Sequence, residues 1–96
     1  MTIIRTTRFK ADPARATEVI TRRAELISAV RAAFPGLTEA RLTKVDEGTW
    51  ADMWRWDSAA NLAAALAGAP ALPAATAAFA LVTDVTAENA DLVDER

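Results

Sequence analysis

The chain has 96 residues, a formal net charge of −2 and an isoelectric point near 5.0, so it lacks the basic face that a general nucleic-acid binder needs. It has no cysteine, histidine or tyrosine, which excludes disulfides, thiolate or histidine metal sites, histidine-ligated haem and a Ser-His-Asp triad. Met1 to Arg5 does not read as a signal peptide and no run approaches the ~18 apolar residues of a membrane span, so a cytoplasmic protein is expected.

Thr2 to Lys10, rich in Thr, Ile and Phe, predicts a first strand, with faces Ile3/Arg5/Thr7/Phe9 and Ile4/Thr6/Arg8 that are both mixed. Asp12-Pro13 is a helix start, an acidic N-cap followed by proline at the first helical position. Ala16, Val19, Ile20, Ile27, Val30 and Phe34 then recur at helical spacing. Arg15, Glu18, Arg22, Glu25 and Arg31 lie elsewhere, and Glu18 and Arg22 are placed to pair at i,i+4. Arg22-Arg23 reads as a solvated helix face. Pro35-Gly36 ends the helix.

Leu37 to Val45 predicts a second strand, and Asp46-Glu-Gly-Thr49 turns it into a third, Trp50 to Asp57. Pairing Val45 with Trp50 would put Thr43–Asp52, Arg41–Trp54 and Glu39–Trp56 on one face. Lys44–Ala51, Leu42–Met53 and Ala40–Arg55 would then share the other, a register that a one-residue bulge would change. Asp57-Ser58 caps a helix from Ala59 to about Ala67, closed by Gly68 and Pro70. Pro73 opens a third helical segment with Leu72, Ala75, Phe79, Val82 and Val85 on one face. A short strand is expected within Ala87 to Glu95. The whole reads as one α+β domain over residues 1–96, the βαββαβ plan of a ferredoxin-like fold with an antiparallel sheet.

Of the 96 residues 24 are alanine, so a core must come from the three Trp, three Phe and the few Leu, Ile, Val and Met. All three tryptophans lie in Trp50 to Trp56, at positions of one parity. In a strand Trp50, Asp52, Trp54 and Trp56 therefore share one face, and Ala51, Met53, Arg55 and Asp57 the other. Trp54 and Trp56 read either as walls of a ligand pocket or as core filling. Asp52, set among indoles, reads either as a desolvated general base with a raised pKa or as a carboxylate bonded to Thr43 or an arginine. Arg41 is a candidate to hold an anionic substrate, or else it stacks on Trp54 or pairs with Glu39. Arg55, on the opposite parity, needs a carboxylate partner if it is buried.

Phe9-Lys-Ala-Asp-Pro13, Phe34-Pro-Gly-Leu37 and Trp56-Asp-Ser58 resemble the corresponding stretches of the antibiotic biosynthesis monooxygenase family, and the likeness spans nearly the whole chain. The resemblance implies a dimeric α+β barrel, with each sheet covered by helices on one side and by its mate's sheet on the other. It also implies a ligand pocket between sheet and helices, with the tryptophan of the Trp-x-Ser turn, here Trp56, facing into it. Trp54 and Asp52 would face the same pocket, Leu62 and Leu66 would lie above them, and Arg41 and Phe79 complete the substrate-binding candidates. Where some oxygenases of the family place Asn four residues before this tryptophan the chain has Asp52, and where they place Tyr six residues after it the chain has Leu62. Haem-degrading members use a helix histidine near the position of Leu66, and this chain has no histidine at all.

Two functions follow as expectations. One is a cofactor-independent monooxygenase acting on a flat aromatic, polyketide- or quinol-like molecule, with Asp52 as base and no metal. The other is a non-catalytic dimeric domain that binds a small molecule or assembles. A homodimer joined through the sheet face bearing Leu42, Met53, Ala40 and Ala51 is expected for either, because a small chain cannot cover both faces of its sheet.

Overall fold

The computed structural model describes residues 1–96. Its elements run β1 (Ile3–Lys10), α1 (Ala16–Ala33), β2 (Leu37–Asp46), β3 (Thr49–Trp56), α2 (Ala59–Gly68), α3 (Pro73–Phe79) and β4 (Thr83–Asp91). The four strands form one antiparallel sheet in the order β2-β3-β1-β4, with the helices packed on one face. This is the ferredoxin-like α+β fold. No single helix is long and apolar enough to cross a membrane.

The caps lie where the sequence puts them. The Asp12 carboxylate accepts the Ala14 N–H at 2.9 Å, and Pro13 opens a single 3-10 turn that leads into α1. Ser58 Oγ accepts the Asn61 N–H at 3.1 Å and starts α2. The buried stripe of α1 is Val19, Leu26, Ile27 and Val30. Ile20, expected on that stripe, lies beside it and is 50% exposed. The ion pairs on the surface of α1 and its leading turn are Arg15–Glu18 and Arg22–Glu25 at i,i+3 rather than Glu18–Arg22, each worth roughly 0.3 kcal/mol.

β1 lies between β3 and β4, and Ile3, Arg5, Thr7 and Phe9 oppose Trp56, Trp54, Asp52 and Trp50. These residues form the helix-covered face. Trp56, Ile3 and Leu37 pack there against Val30, Ile27 and Leu62, while Phe9, Val19 and Trp50 make a second cluster whose two rings stack at 6.5 Å.

The β2–β3 register differs from the expected one. Asp46 does oppose Thr49, but Val45 then bulges and Lys44 meets Trp50, so Leu42 lies opposite Asp52, Arg41 opposite Met53 and Ala40 opposite Trp54. A second irregularity falls between Leu37 and Glu39. Because side chains alternate, the one-residue bulge sends Arg41 and Thr43 to the uncovered face and turns Leu42 and Ala40 toward the helices. The cation over an indole is consequently Lys44, 5.7 Å from the Trp50 ring, and Arg41 pairs with Glu39 instead. Of the four residues expected on the open face, only Ala51 and Met53 are there.

The last strand begins earlier than expected. α3 stops at Phe79, and β4 already includes Val85, which the helical reading had claimed. The strand enters through Asp84 at φ +52°, beside a register shift against Arg8 and Lys10. Aspartate tolerates this left-handed conformation better than most residues. Beyond β4, the Leu92 N–H donates to the Thr2 carbonyl at 2.9 Å, and Arg55 Nη2 donates to Glu95 Oε1 at 3.1 Å. The chain's own tail thus supplies the carboxylate that Arg55 needs. The hydrogen bond from Arg55, then its charge, holds the Glu95 carboxyl below the usual carboxylate range.

Gly36 ties the end of α1 to the start of α2. It adopts φ +107°, its carbonyl accepts the Asp57 N–H at 2.9 Å, and an added Cβ would lie 2.7 Å from both Asn61 Cβ and Asp57 Oδ1. Gly36→Ala is therefore expected to lower stability by about 1–3 kcal/mol, read as a reduced denaturant midpoint with an unchanged slope.

Candidate functional site

Sheet and helices do not close on each other completely. They enclose a cavity of about 490 Å³ whose floor is Arg5, Thr7, Asp52, Trp54 and Trp56 and whose roof includes Leu62, Leu66 and Phe79. Its polar side chains are Arg5, Thr7, Arg23, Asp52 and Thr76, and the rest of the wall is apolar. The cavity opens along β4. Every residue of that strand is exposed, and Phe79, Leu66 and Val85 line the cavity while remaining 52%, 42% and 42% exposed.

Asp52 is the one buried charged residue, 7% exposed, placed on the floor by the alternation of β3. Both of its oxygens accept from Arg23 of α1: Nε to Oδ2 at 2.9 Å and Nη2 to Oδ1 at 3.0 Å. The two side chains are 18% and 10% exposed, so this is a largely desolvated, bidentate ion pair between helix and sheet. Arg23 does not share the solvated face of Arg22, as the sequence reading had it. It falls four residues after Val19 and three before Leu26, directly on the buried stripe. An arginine that interrupts an apolar stripe, in a chain with one carboxylate among its indoles, was a readable signal.

The Trp54 and Trp56 rings lie 6.4 Å apart, inclined by 36°. Both line the cavity and both pack on the core, so the two readings of them coincide. Trp56 is 2% exposed and its Nε1–H has no hydrogen-bond partner. A buried donor left unpaired costs about 1–3 kcal/mol, so an acceptor atom delivered beside it would bind with advantage.

Among the substrate-binding candidates, Arg41 is the misplacement. The Val45 bulge leaves it on the opposite face of the sheet, beside Met53, away from the cavity. Asp52, Trp54, Trp56, Leu62, Leu66 and Phe79 are brought together on one wall or another of the same space. Arg5 and Arg23 are the polar lining residues that sequence reasoning missed. For Arg5 the signal was its parity with Ile3 and Phe9. No three acidic side chains gather closely enough to hold a metal ion.

No protein-family model and no curated protein matches the sequence. Solved structures do match. SnoaB, a cofactor-independent oxygenase from Streptomyces nogalater, superposes with a TM-score of 0.78 at 23% identity, over 98% of this chain and 95% of that one. A proposed antibiotic biosynthesis monooxygenase from Caulobacter crescentus CB15 gives 0.72 at 24% identity, over 97% and 91%. The chain has the fold of the antibiotic biosynthesis monooxygenases. A dimeric ferredoxin-like protein of unknown function from Jannaschia shares it at a TM-score of 0.66 and 13% identity, over 96% of this chain and 100% of that one. Within this fold, the charged side chains lining the cavity are Arg5, Arg23 and Asp52.

The ion pair gives a direct prediction. Arg23→Met strands a buried carboxylate and is expected to cost about 3–5 kcal/mol, whereas Arg23→Met with Asp52→Leu is expected to recover most of that loss. Denaturant unfolding of the single and double variants measures both.

Proposed function

We propose that this protein binds a flat aromatic small molecule of the quinol or polyketide type in its cavity and oxidises it with molecular oxygen. The observation that carries the reading is a buried carboxylate, Asp52, on the wall of a mostly apolar cavity beside Trp54 and Trp56. The fold shared with a cofactor-independent oxygenase supports it.

For an anthrone-like substrate, Asp52 takes a proton from the acidic ring methylene, and the carbanion is delocalised as a phenolate-type oxyanion. The carbanion adds oxygen and takes back the proton held on Asp52, which gives a hydroperoxide and restores the carboxylate. Loss of water from that hydroperoxide leaves the quinone carbonyl, so one oxygen atom enters the product and the other leaves as water. Each Asp52 oxygen accepts one N–H from Arg23 and keeps a second lone pair for a substrate proton. The N–H groups of Arg23 not used on Asp52, together with the Trp56 Nε1–H, are donors suited to the developing oxyanion. The apolar walls raise the worth of those donors by excluding water.

A second reading, a dimeric binding domain without chemistry, is favoured by one feature: the Arg23 guanidinium already engages both oxygens of the candidate base. Oxygen uptake with an anthrone separates the two. Asp52→Asn keeps the shape of the side chain and is expected to reduce turnover at least a hundredfold while changing anthrone affinity by less than about threefold. Unchanged turnover in that variant would remove Asp52 from the chemistry. No turnover in the unaltered protein, with binding intact, would leave the binding domain.

In either reading we infer a homodimer joined through the uncovered sheet face. Ile4 and Met53 lie on that face, Met53 being 44% exposed, and Arg55 there is already neutralised by Glu95. Apolar side chains grouped on an exposed face mark a contact surface. Sedimentation is expected to give twice the 10.3 kDa of one chain at micromolar concentration, and Met53→Lys to shift the species to the single-chain mass.

A further inference from the structure

Three charged side chains reach the cavity wall and only two of them balance. Arg23 and Asp52 neutralise each other, whereas Arg5 has no carboxylate within ion-pair distance; its side-chain partner is the neutral Asn89, whose Oδ1 accepts from Nη1 at 2.8 Å. With Arg5 and Arg23 positive and Asp52 negative, the cavity carries one net positive charge. β1 sets Arg5 directly opposite Trp54 on one side and Asn89 on the other. It therefore lies where the indole floor meets the open, β4 side. One of its five N–H donors is used and four remain.

We propose that the ligand of this cavity is an aromatic carboxylate, its acid group held on the Arg5 guanidinium at the mouth and its ring lying along Trp54. This rests on the reading that the cavity holds a flat aromatic, and it adds the charge of that molecule and its direction of entry. A planar guanidinium fits a carboxylate through two parallel hydrogen bonds, which a neutral carboxamide cannot match with the same strength. The position suits an amphiphilic acid. The carboxylate stays next to solvent along exposed β4, and the ring is buried among Trp54, Trp56 and Leu62.

The test uses the full chain and two probes alike in shape, anthraquinone-2-carboxylate and anthraquinone-2-carboxamide, with binding read from quenching of the tryptophan fluorescence. The unaltered protein is expected to bind the carboxylate at least tenfold tighter than the amide, with the preference shrinking as salt rises. Arg5→Gln is expected to bring the two within twofold of each other with the amide still bound, and Arg5→Lys to keep part of the preference. Equal binding of both probes by the unaltered protein, or a preference that survives in Arg5→Gln, would overturn the assignment while leaving the aromatic reading intact. Loss of both probes in Arg5→Gln would make Arg5 structural and overturn it as well. Binding of neither probe by the unaltered protein would sink the aromatic reading, and this inference with it.

Discussion

The constraint behind this structure is a shortage of volume on the helix side of the sheet. Of 96 residues 24 are alanine, and the α2–α3 stretch, Ala59 to Phe79, is the most alanine-rich part of the chain. An interior must still be packed to near-crystalline density or left with a void. The space between the layers is therefore filled from below, by Trp50, Trp54 and Trp56 standing on β3, with Phe9 and Ile3 beside them on β1. Leu62 and Ala65 of α2 and Ala75 of α3 reach down onto that floor. Where indoles and alanines do not meet, the cavity remains. It follows from the same composition that puts all three indoles on one strand.

An ion pair inside such a space needs its own explanation. Desolvating a guanidinium and a carboxylate costs several kcal/mol per ion, and two apolar residues of similar volume would serve stability as well or better. What the Arg23–Asp52 pair adds is geometry. Two parallel hydrogen bonds fix the rotation of α1 about its axis and its height over β3, in a domain whose alanines interlock weakly. The same pair keeps a polar edge in an apolar cavity. A chain selected for stability alone would have little use for that edge, and a binding or reacting site would.

Local features were legible in the sequence, and long-range ones only where alternation or helical spacing carried them. Asp12-Pro13, Pro35-Gly36 and Ser58 act through their immediate neighbours, and each sits where it was expected. The shared parity of Trp50, Asp52, Trp54 and Trp56 needed only that β3 be a regular strand, which it is. Arg41 was assigned to the wrong face because a bulge at Val45 changes the register by one. Nothing in Lys44-Val-Asp46 announces a bulge, which shows only in the cross-strand pairing of Lys44 with Trp50 and Asp46 with Thr49. The start of β4 was missed for a related reason. Thr83 to Asp91 has a strand's backbone but almost no large apolar side chains, so its pairing with β1 supplies what its composition does not.

That last element also determines how the cavity communicates with solvent. β4 is an edge strand, exposed along its whole length, and its only large apolar side chain is Val85. A helix gains little by lying over such a strand, and α3, seven residues long, stops at Phe79 before it could do so. The inward-facing residues of β1, Arg5 and Thr7, line the cavity next to that exposed strand. An arginine at such a border keeps its charge hydrated while its carbon stem lies along the floor. Composition thus makes the void, the sparse β4 leaves it open on one side, and alternation along β1 places a cation with no carboxylate partner at that open side.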